Sequence, residues 1–565
     1  MTIYKELSEE RKYLQGIGEL PEWVTTNSYQ MLKEKYLDEG ETLYQRFRKI
    51  AYTAAQYLPD EGRGVWMDKF FKVLWNGWLA ASTPVLANMG KEKGCPVSCS
   101  GSYVGDSVYD FYATQLETAI LSKNGFGTSG YLGDIRPRGA SINGLKGGAS
   151  GIVPVFKDFV QLSRDISQGS SRRGAWAGYL PIDHDDFYEL LNYISKYPDD
   201  ANVGWVISDN FIDRLNNGDK EALERYQKAL KLKMVTGKGY FFFVDKVNRL
   251  SPKWYKDKGL KVLASQLCTE IALYSTPEES YTCVLSSLNL SKYDEWKHTD
   301  TIFVATVFLH CVALDFIEIA KDIPGLERAV LFTKKNMALG LGTLGFHTYL
   351  QDNSIPLESF EAHLFNQRIF QELDEKSLEA SKWLVEIFGE CENTYGYGIA
   401  NTHRLAVAPN LSSALICGGV SQGIEPVYKN VYVQGSASGE MNRINPSLLK
   451  VIKNKGLDED KVVTDIIDNN GSVQHVSWLT DHEKEVFKTA FEIDQRTIIR
   501  LASARQRYID QAQSINLFFS SDEDEEYISE IHQLAFNDPY IKSLYYIRSE
   551  SGVMASKGTC QSCEG

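Results

Sequence analysis

The spacing of apolar residues predicts a helical region at the start of the chain, followed by strands that alternate with helices. Over the first 80 residues apolar side chains recur at helical spacing, among them Trp23, Leu32, Phe47 and Ile50. Residues 240–244 are instead a short apolar aromatic run, which is typical of a buried strand. Short strands between helices indicate an α/β architecture.

The most hydrophobic stretch, residues 301–320, predicts a buried helix rather than a membrane span. It is interrupted by His310, Asp315 and Glu318, which a lipid-facing helix would not tolerate. The first 15 residues are charged and lack the apolar core of a secretory signal. We therefore expect a soluble, cytoplasmic protein that contacts no membrane.

Composition narrows the class of protein. The chain has 565 residues, of which 43% are hydrophobic and 24% charged, so it is globular rather than disordered or collagen-like. The 60 Lys and Arg against 74 Asp and Glu give a net charge of −14 without a basic run, which argues against a nucleic-acid partner. Nine cysteines indicate a reducing compartment rather than a disulfide framework.

Two cysteines close the chain in a segment without hydrophobic periodicity. Cys560 and Cys563 form a Cys-x-x-Cys pair, which can close into a disulfide and exchange with another dithiol. The same two thiols with Cys95 and Cys99 have acceptable spacing for a four-thiolate zinc site. Spacing alone leaves the redox and the zinc interpretations open.

A third cysteine lies between an amide and a carboxylate. If residues 266–270 are extended, Gln266, Cys268 and Glu270 project from one face and converge on one ligand. The carboxylate then suits a general base acting on a hydroxyl, and the amide suits a group that orients it. Apolar residues at four-residue spacing instead favour a helix, on which Cys268 faces away from the other two.

Several motifs in one order make the chain resemble the large, catalytic subunit of ribonucleotide reductase, nearly end to end. The segments that carry this resemblance are residues 82–84, 96–99, 266–270, 409–413, 510–518 and 544–548. The resemblance implies a ten-stranded α/β barrel with an N-terminal helical region and a flexible C-terminal tail. The expected boundaries are 1–80 for the helical region, 81–548 for the barrel and 549–565 for the redox tail.

The resemblance assigns the radical chemistry to residues 266–270. Cys268 is the expected thiyl radical that abstracts a hydrogen atom from the ribose, and Glu270 is the expected base at the 3′-hydroxyl. Gln266 occupies the position of the family's catalytic amide, although the family usually has Asn there, one methylene shorter. The implied reaction reduces ribonucleotides, expected to be diphosphates, to deoxyribonucleotides for DNA synthesis.

The resemblance also assigns roles to two pairs of cysteines. Cys99 and Cys283 fall where the family's two reducing cysteines lie, and they are expected to become a disulfide as the 2′-hydroxyl leaves as water. Cys560 and Cys563 are then expected to reduce that disulfide by thiol exchange. A thioredoxin- or glutaredoxin-like protein is the expected final reductant.

The resemblance also implies a substrate site. It consists of a glycine, several hydroxyl groups and a turn before a helix. Such a turn suits backbone N–H groups and hydroxyls that bind a phosphate. The expected substrate-binding residues are Thr83, Ser98, Gly127, Pro409, Asn410, Leu411, Ser412 and Ser413.

Adjacent tyrosines near the end of the barrel region bear on the source of the radical. By themselves, Tyr545 and Tyr546 suit an ordinary half-buried aromatic pair. In this family they resemble the relay that carries an electron and a proton from a separate radical-generating small subunit. The metallocofactor is then expected in that partner, and none in this chain. The alternatives are an adenosylcobalamin-dependent reductase and a nucleotide-binding protein with a structural zinc.

Regulation is expected at a homodimer interface, where the family binds a deoxynucleotide or ATP effector. Asp106 and Arg136 resemble the acidic and basic residues of that effector site. Residues 196–206 are expected to be the loop that reports the identity of the bound effector to the substrate site. They lack the arginine that the family has there. The N-terminus enters the helical region directly, so we expect no N-terminal ATP-binding regulatory domain.

Overall fold

The computed structural model describes residues 2–97, 99–144, 146–166, 174–200, 202–436 and 439–549. Three residues to which the sequence assigned roles, Ser98, Cys560 and Cys563, lie outside these ranges.

The helices are α1 (Thr2–Gly16), α2 (Thr26–Lys35), α3 (Leu43–Ala55), α4 (Arg63–Trp75), α5 (Thr83–Asn88), α6 (Val108–Lys123), α7 (Ile152–Asp165), α8 (Phe187–Lys196), α9 (Asp209–Asn216), α10 (Lys220–Thr236), α11 (Val244–Arg249), α12 (Lys253–Asp257), α13 (Tyr293–Trp296), α14 (Thr301–Ala320), α15 (Glu327–Asn336), α16 (Phe346–Asp352), α17 (Phe360–Phe388), α18 (Leu411–Ile416), α19 (Pro446–Asn454), α20 (Glu459–Asp468), α21 (Asp481–Val486), α22 (Gln495–Gln506) and α23 (Glu525–Asn537). Short 3-10 turns cover Pro198–Asp200, Leu290–Lys292 and Glu392–Thr394.

The strands are β1 (Leu79–Ala81), β2 (Cys99–Tyr103), β3 (Gly127–Tyr131), β4 (Trp176–Pro181), β5 (Val203–Ile207), β6 (Tyr240–Phe243), β7 (Tyr281–Asn289), β8 (Leu339–Leu344), β9 (Val431–Ser436), β10 (Gly439–Ile444), β11 (Leu517–Phe519), β12 (Ser543–Leu544) and β13 (Ile547–Ser549).

The expected α/β barrel is confirmed, and it is built from two parallel halves. Strands β2 to β6 pair in parallel and in sequence order, with helices in the connections between them. The second half begins with β7 and β8 in parallel. It continues through residues 405–407, which pair with β8, and residues 511–517, which pair with 405–407. Residues 543–549 complete this half by pairing with the preceding segment.

Two antiparallel seams join the halves and close the barrel. At the first seam β2 pairs with β7, and the register sets Cys99 opposite Cys283. At the second seam β12 pairs with β6, and the register sets Ser543 opposite Phe242. Within the described part of the chain the ring therefore contains ten hydrogen-bonded segments, in agreement with the expected number of strands.

Helix α14 is the apolar stretch over residues 301–320. It is long and apolar enough to cross a membrane by length and composition, but 72% of its most hydrophobic window is buried inside the protein. It packs against α4, α15 and α17 and against strands β7 and β8. The prediction of a buried core helix is therefore confirmed.

The segment expected to be an effector-reporting loop, residues 196–206, is partly a barrel strand. It comprises the end of α8, a 3-10 turn and most of β5, which is hydrogen-bonded to β4 and β6. Asp200 in the turn is buried and forms an ion pair with Arg164 of α7. The expectation of a loop is wrong for residues 203–206, because hydrogen bonds to neighbours on both sides fix them in the barrel.

A buried arginine joins the N-terminal helices to the segment that precedes the barrel. Arg46 of α3 is fully buried, and its guanidinium donates to the carbonyls of Leu86 and Met89, each at 2.8 Å. These carbonyls lie at the end of α5, where the helix leaves them without partners. Arg46 therefore caps α5 from a distance and fixes the position of Thr83 at its start.

We expect Arg46→Met to lower the free energy of unfolding by about 3 kcal/mol, because it leaves buried carbonyls without donors. Urea unfolding followed by circular dichroism measures the change. Arg48→Met is the matched control, since Arg48 lies on the same helix but is exposed and pairs with Asp68 at the surface. Equal stability of the two variants would contradict the capping role of Arg46.

Candidate active site

A loop between α12 and β7 runs through the inside of the barrel. Both halves bind its backbone: Ser129 donates to the Ser265 carbonyl at 2.9 Å and Tyr179 to the Gln266 carbonyl at 2.6 Å. From the other half, the Ala512 N–H donates to the Glu270 carbonyl at 2.9 Å. The helix favoured by apolar spacing is therefore wrong here, because barrel groups satisfy the loop's backbone in an open conformation.

A tight turn at the tip of this loop presents the candidate catalytic groups. Thr269 adopts a positive φ of 69°, which is uncommon for a β-branched residue. Ser514 stabilises the turn by contacting both sides of it, since its hydroxyl lies 2.5 Å from the Cys268 carbonyl and 3.0 Å from a Glu270 carboxylate oxygen. The turn thus places the thiol and the carboxylate on either side of one strained residue.

The thiol of Cys268 contacts the tyrosine pair. The Tyr545 hydroxyl lies 3.5 Å from Cys268 Sγ, and the rings of Tyr545 and Tyr546 are 3.9 Å apart. Tyr240 of β6 packs against both rings, at 4.9 and 5.6 Å. Tyr545 is completely buried and Tyr546 is 7% exposed, so both tyrosines and the thiol lie inside the protein.

Gln266 links the loop to the first seam of the barrel. Its side-chain oxygen accepts from the Cys268 N–H at 3.1 Å, and its amide nitrogen lies 3.7 Å from Cys99 Sγ. Glu270 is 1% exposed and Gln266 is completely buried. One carboxamide therefore spans the distance between Cys268 and the thiol pair.

Cys99 and Cys283 face each other across the seam between β2 and β7, and both are free thiols. Complete burial raises the pKa of the Cys283 thiol well above its ordinary value, and a hydrogen bond from Gln511 opposes that rise. The distance from Gln511 Nε2 to Cys283 Sγ is 3.2 Å. Burial therefore favours the protonated thiol at Cys283, opposite Cys99 across the seam.

The other cysteines of the sequence motifs do not assemble a metal site among the described residues, where no group of three His, Cys, Asp or Glu side chains is suitably placed. Cys95 is buried in the helical core, where burial raises the pKa of its thiol to about 12. Cys560 and Cys563 lie outside the described residues, so the zinc interpretation stays an untested alternative.

The expected substrate residues lie on two neighbouring helix starts and on one strand. Thr83 begins α5, and the Ser82 hydroxyl before it is buried without a partner among the described residues. Asn410 adopts a left-handed conformation immediately before α18, which begins at Leu411. Gly127 begins β3 and is the register partner of Cys99.

The two helix starts lie beside neighbouring strands of the barrel. The Ser82 N–H donates to the Ser286 hydroxyl of β7 at 3.2 Å, and the Asn410 amide donates to the Thr343 carbonyl of β8 at 3.1 Å. The residues predicted for this turn are Pro409, Asn410, Leu411, Ser412 and Ser413, and all of them are described. The arrangement offers backbone N–H groups and hydroxyls to an anion at one mouth of the barrel.

The two predicted effector residues bind each other. The Arg136 guanidinium lies 2.6 Å from the Asp106 carboxylate, and the Arg136 backbone N–H also donates to it at 3.2 Å. Both side chains are partly exposed, at 38% and 28%. Asp106 is followed by Ser107, whose hydroxyl caps the start of α6.

Sequence reasoning missed three residues that contact the predicted groups: Gln511, Ser514 and Tyr240. Gln511 and Ser514 lie in the segment 510–518, which carried the resemblance without any assigned role. Their signal is a run of polar side chains that the barrel buries, since buried polar groups need specific partners. Tyr240 gave no signal beyond an apolar strand.

Comparisons with known proteins agree with this geometry. The family description "Ribonucleotide reductase, barrel domain" matches residues 97–225, 221–396 and 391–547, and "Ribonucleotide reductase, all-alpha domain" matches residues 22–94. A putative ribonucleoside-diphosphate reductase large subunit of Frog virus 3 is 34% identical, over 84% of this chain and 86% of its own. The large subunit of Invertebrate iridescent virus 3 is 29% identical, over 94% of both chains.

A solved structure extends the agreement to three dimensions. The class Id ribonucleotide reductase alpha subunit of Actinobacillus ureae superposes with a TM-score of 0.86 and 41% identity, covering 94% of this chain and 98% of that one. The chain therefore belongs to the ribonucleotide reductase large-subunit family, the family of the enzyme's catalytic chains.

Proposed function

We propose that this chain is the catalytic subunit of a two-subunit ribonucleoside-diphosphate reductase, which supplies deoxyribonucleotides for DNA synthesis. The observation that carries the proposal is the 3.5 Å contact between the Tyr545 hydroxyl and Cys268 Sγ, with the Tyr546 ring 3.9 Å from the Tyr545 ring. A phenol in contact with a thiol can pass a hydrogen atom, so an oxidised Tyr545 regains its proton and electron from Cys268. The product is a thiyl radical inside an enclosed barrel.

Cys268 then abstracts a hydrogen atom from the ribose, while the Glu270 carboxylate takes the proton of the 3′-hydroxyl. Ser514 supports this role because its hydroxyl, 3.0 Å from Glu270, orients the carboxylate. Cys99 and Cys283 supply two electrons and two protons. They become a disulfide, the 2′-hydroxyl leaves as water, and Cys268 regains its hydrogen atom.

Substrate phosphates are expected at the mouth formed by Ser82, Thr83 and residues 409–413. The buried Ser82 hydroxyl without a partner among the described residues supports this assignment, since a buried hydroxyl is normally hydrogen-bonded. Ser98 is proposed to contribute from its place beside Cys99.

The radical is proposed to come from a small subunit that holds the metallocofactor. Two tyrosines in ring contact beside the thiol suit transfer from a second protein better than the direct radical generation of the adenosylcobalamin class. Cys560 and Cys563 are proposed to reduce the Cys99–Cys283 disulfide and to be reset by a thioredoxin- or glutaredoxin-like protein. These thiols need a reducing compartment, and we therefore propose a cytoplasmic enzyme.

We expect Tyr546→Phe to lower nucleotide reduction about 1,000-fold or more, because phenylalanine has no hydroxyl and cannot form a phenoxyl radical. The assay measures deoxycytidine diphosphate formed from cytidine diphosphate by the reduced chain with its co-encoded small subunit, and again without it. Activity is expected only when the small subunit is present.

Tyr255→Phe is the matched control, since Tyr255 is also buried and its hydroxyl donates to the Asn336 side-chain oxygen at 3.1 Å. It should keep most of the activity. Full activity of Tyr546→Phe would contradict the relay, and activity that needs adenosylcobalamin instead of the small subunit would establish the other class.

We expect Gln266→Asn to lower kcat about tenfold, although the family usually has Asn at this position. The shorter side chain withdraws its amide by about 1.5 Å from both the Cys268 N–H and Cys99. Steady-state kinetics with the small subunit measures kcat and KM, and KM for the nucleotide should change little. An unchanged kcat would show that the longer amide is not needed, and Gln371→Asn on the exposed face of α17 is the control.

A homodimer with an effector site at its interface is proposed at α6. Tyr109, Tyr112 and Leu116 lie on one side of this helix and are 81%, 61% and 61% exposed. Large apolar side chains grouped on a helix face are typical of protein interfaces. The Asp106–Arg136 pair immediately before α6 is proposed to hold a deoxynucleotide or ATP effector beside this interface.

We expect the double variant Tyr112→Asp and Leu116→Asp to be monomeric at concentrations where the unmodified chain is a dimer, because two buried charges oppose association. Analytical ultracentrifugation measures the mass. Leu364→Asp on α17, 49% exposed, is the control and should not change it. A dimer that survives the double variant would exclude α6 as the interface.

A further inference from the structure

Gln511 contacts a thiol of the proposed reducing pair, and its carboxamide can adopt only one orientation. Its side-chain oxygen accepts from the Ala272 N–H at 3.0 Å. Its amide nitrogen donates to the Leu339 carbonyl at 2.8 Å and approaches Cys283 Sγ at 3.2 Å. If the Gln511 amide were flipped, its oxygen would face the Leu339 carbonyl oxygen, and two acceptors would repel each other. The amide nitrogen, with its N–H groups, therefore faces the sulfur.

The backbone of Gln511 is also held in place. The buried Lys542 amine donates to the Gln511 and Asp510 carbonyls, and Gln506 donates to the Gln511 carbonyl at 2.9 Å. The Gln511 side chain is completely buried and joins the catalytic loop, β7 and β8. The N–H that faces Cys283 is therefore rigidly positioned.

Each of the two facing thiols has a glutamine amide beside it. Gln266 lies 3.7 Å from Cys99 Sγ, and Gln511 lies 3.2 Å from Cys283 Sγ. Gln266 belongs to the catalytic loop, whereas Gln511 belongs to the same half of the barrel as Cys283. Sulfur accepts hydrogen bonds more readily as a thiolate than as a thiol, because the donor interacts with its charge.

We propose that Gln511 is a positioning residue for Cys283, which it orients toward Cys99 and whose reduced sulfur it stabilises during thiol–disulfide exchange. This inference rests on the proposed function of the pair. In the exchange, one thiolate of an external dithiol attacks Cys99 Sγ, the disulfide breaks, and Cys283 leaves as a thiolate. The second thiol of the reductant then closes its own disulfide, and Cys99 and Cys283 each take up one proton.

The test measures the disulfide directly and does not require nucleotide reduction. The full chain is oxidised, equilibrated with dithiothreitol at several ratios of its reduced and oxidised forms, and quenched with acid. Alkylation after denaturation and peptide mass spectrometry then give the fraction of reduced Cys99 and Cys283. The rate of reduction is taken from the same samples at early times.

We expect Gln511→Met and Gln511→Glu to shift the equilibrium constant about fivefold toward the disulfide and to slow its reduction by a similar factor. Both variants remove the N–H from the sulfur. A glutamate in this place either carries a negative charge or donates its proton to the Leu339 carbonyl. If Gln511→Met does not fold, the isosteric Gln511→Glu carries the test.

Gln513→Met is the matched control, since Gln513 is also buried in this segment and bonds to Ala502, Gln506 and Arg505 without touching a thiol. A loss of packing alone would change the disulfide equilibrium equally in the Gln511 variants and in Gln513→Met. An equal change in Gln513→Met would therefore overturn the inference. The wild-type equilibrium and rate in both Gln511 variants would overturn it as well. Failure of the unmodified chain to form a Cys99–Cys283 disulfide would instead contradict the proposed function.

Discussion

The active centre depends on satisfying the backbone of a loop that has no regular structure and is buried over residues 264–275. These residues cross the barrel interior, where an unpaired N–H or C=O is costly. Side chains and backbone of the barrel strands supply the missing partners, among them Ser129 and Tyr179 from one half and Ser514 from the other. The positive φ of Thr269 persists because these contacts hold both sides of the turn. Cys268 is thus placed by contacts from the barrel strands together with the Gln266 side chain.

Each of the two antiparallel seams of the barrel positions one pair of candidate redox residues. The seam of β2 with β7 sets Cys99 opposite Cys283, and the seam of β12 with β6 is followed at once by Tyr545 and Tyr546. The catalytic loop lies between the seams and contacts both, through the Gln266 amide and the Cys268 thiol. A parallel barrel without seams would not bring strand starts and strand ends together in this way. Register at two strand pairs therefore determines which groups can exchange electrons.

The sequence predicted the barrel, the core helix α14 and the residues that the structure brings together around Cys268, mostly because motifs in order carried the resemblance. The local spacing of apolar residues predicted secondary structure less well where contacts with distant segments determine the backbone conformation. The apolar repeat around Cys268 suggested a helix, and residues 203–206 were expected to be a loop, yet hydrogen bonds from neighbouring strands determine both. Gln511 and Ser514 were missed because their importance lies in what they touch across more than 200 residues of sequence. The run of polar residues marks the segment, but its local pattern does not show which distant groups those residues contact.

Three buried lysines lie around the second seam, where β12 pairs with β6. They position the backbone there at a cost in stability. Lys233 donates to the Tyr545 carbonyl, Lys246 to the Ala535 and Phe536 carbonyls, and Lys542 to the Asp510 and Gln511 carbonyls. Burial lowers the pKa of each amine to about 7. Because the unfolded chain binds their protons up to a pKa near 10.4, these groups oppose folding at neutral and lower pH, and their cost diminishes as pH rises above 7. A neutral amine still donates hydrogen bonds, so the carbonyls keep their donors whether the lysines are protonated or neutral. Apolar side chains would pack the same space without this penalty, but they would leave the backbone around Tyr545 without donors.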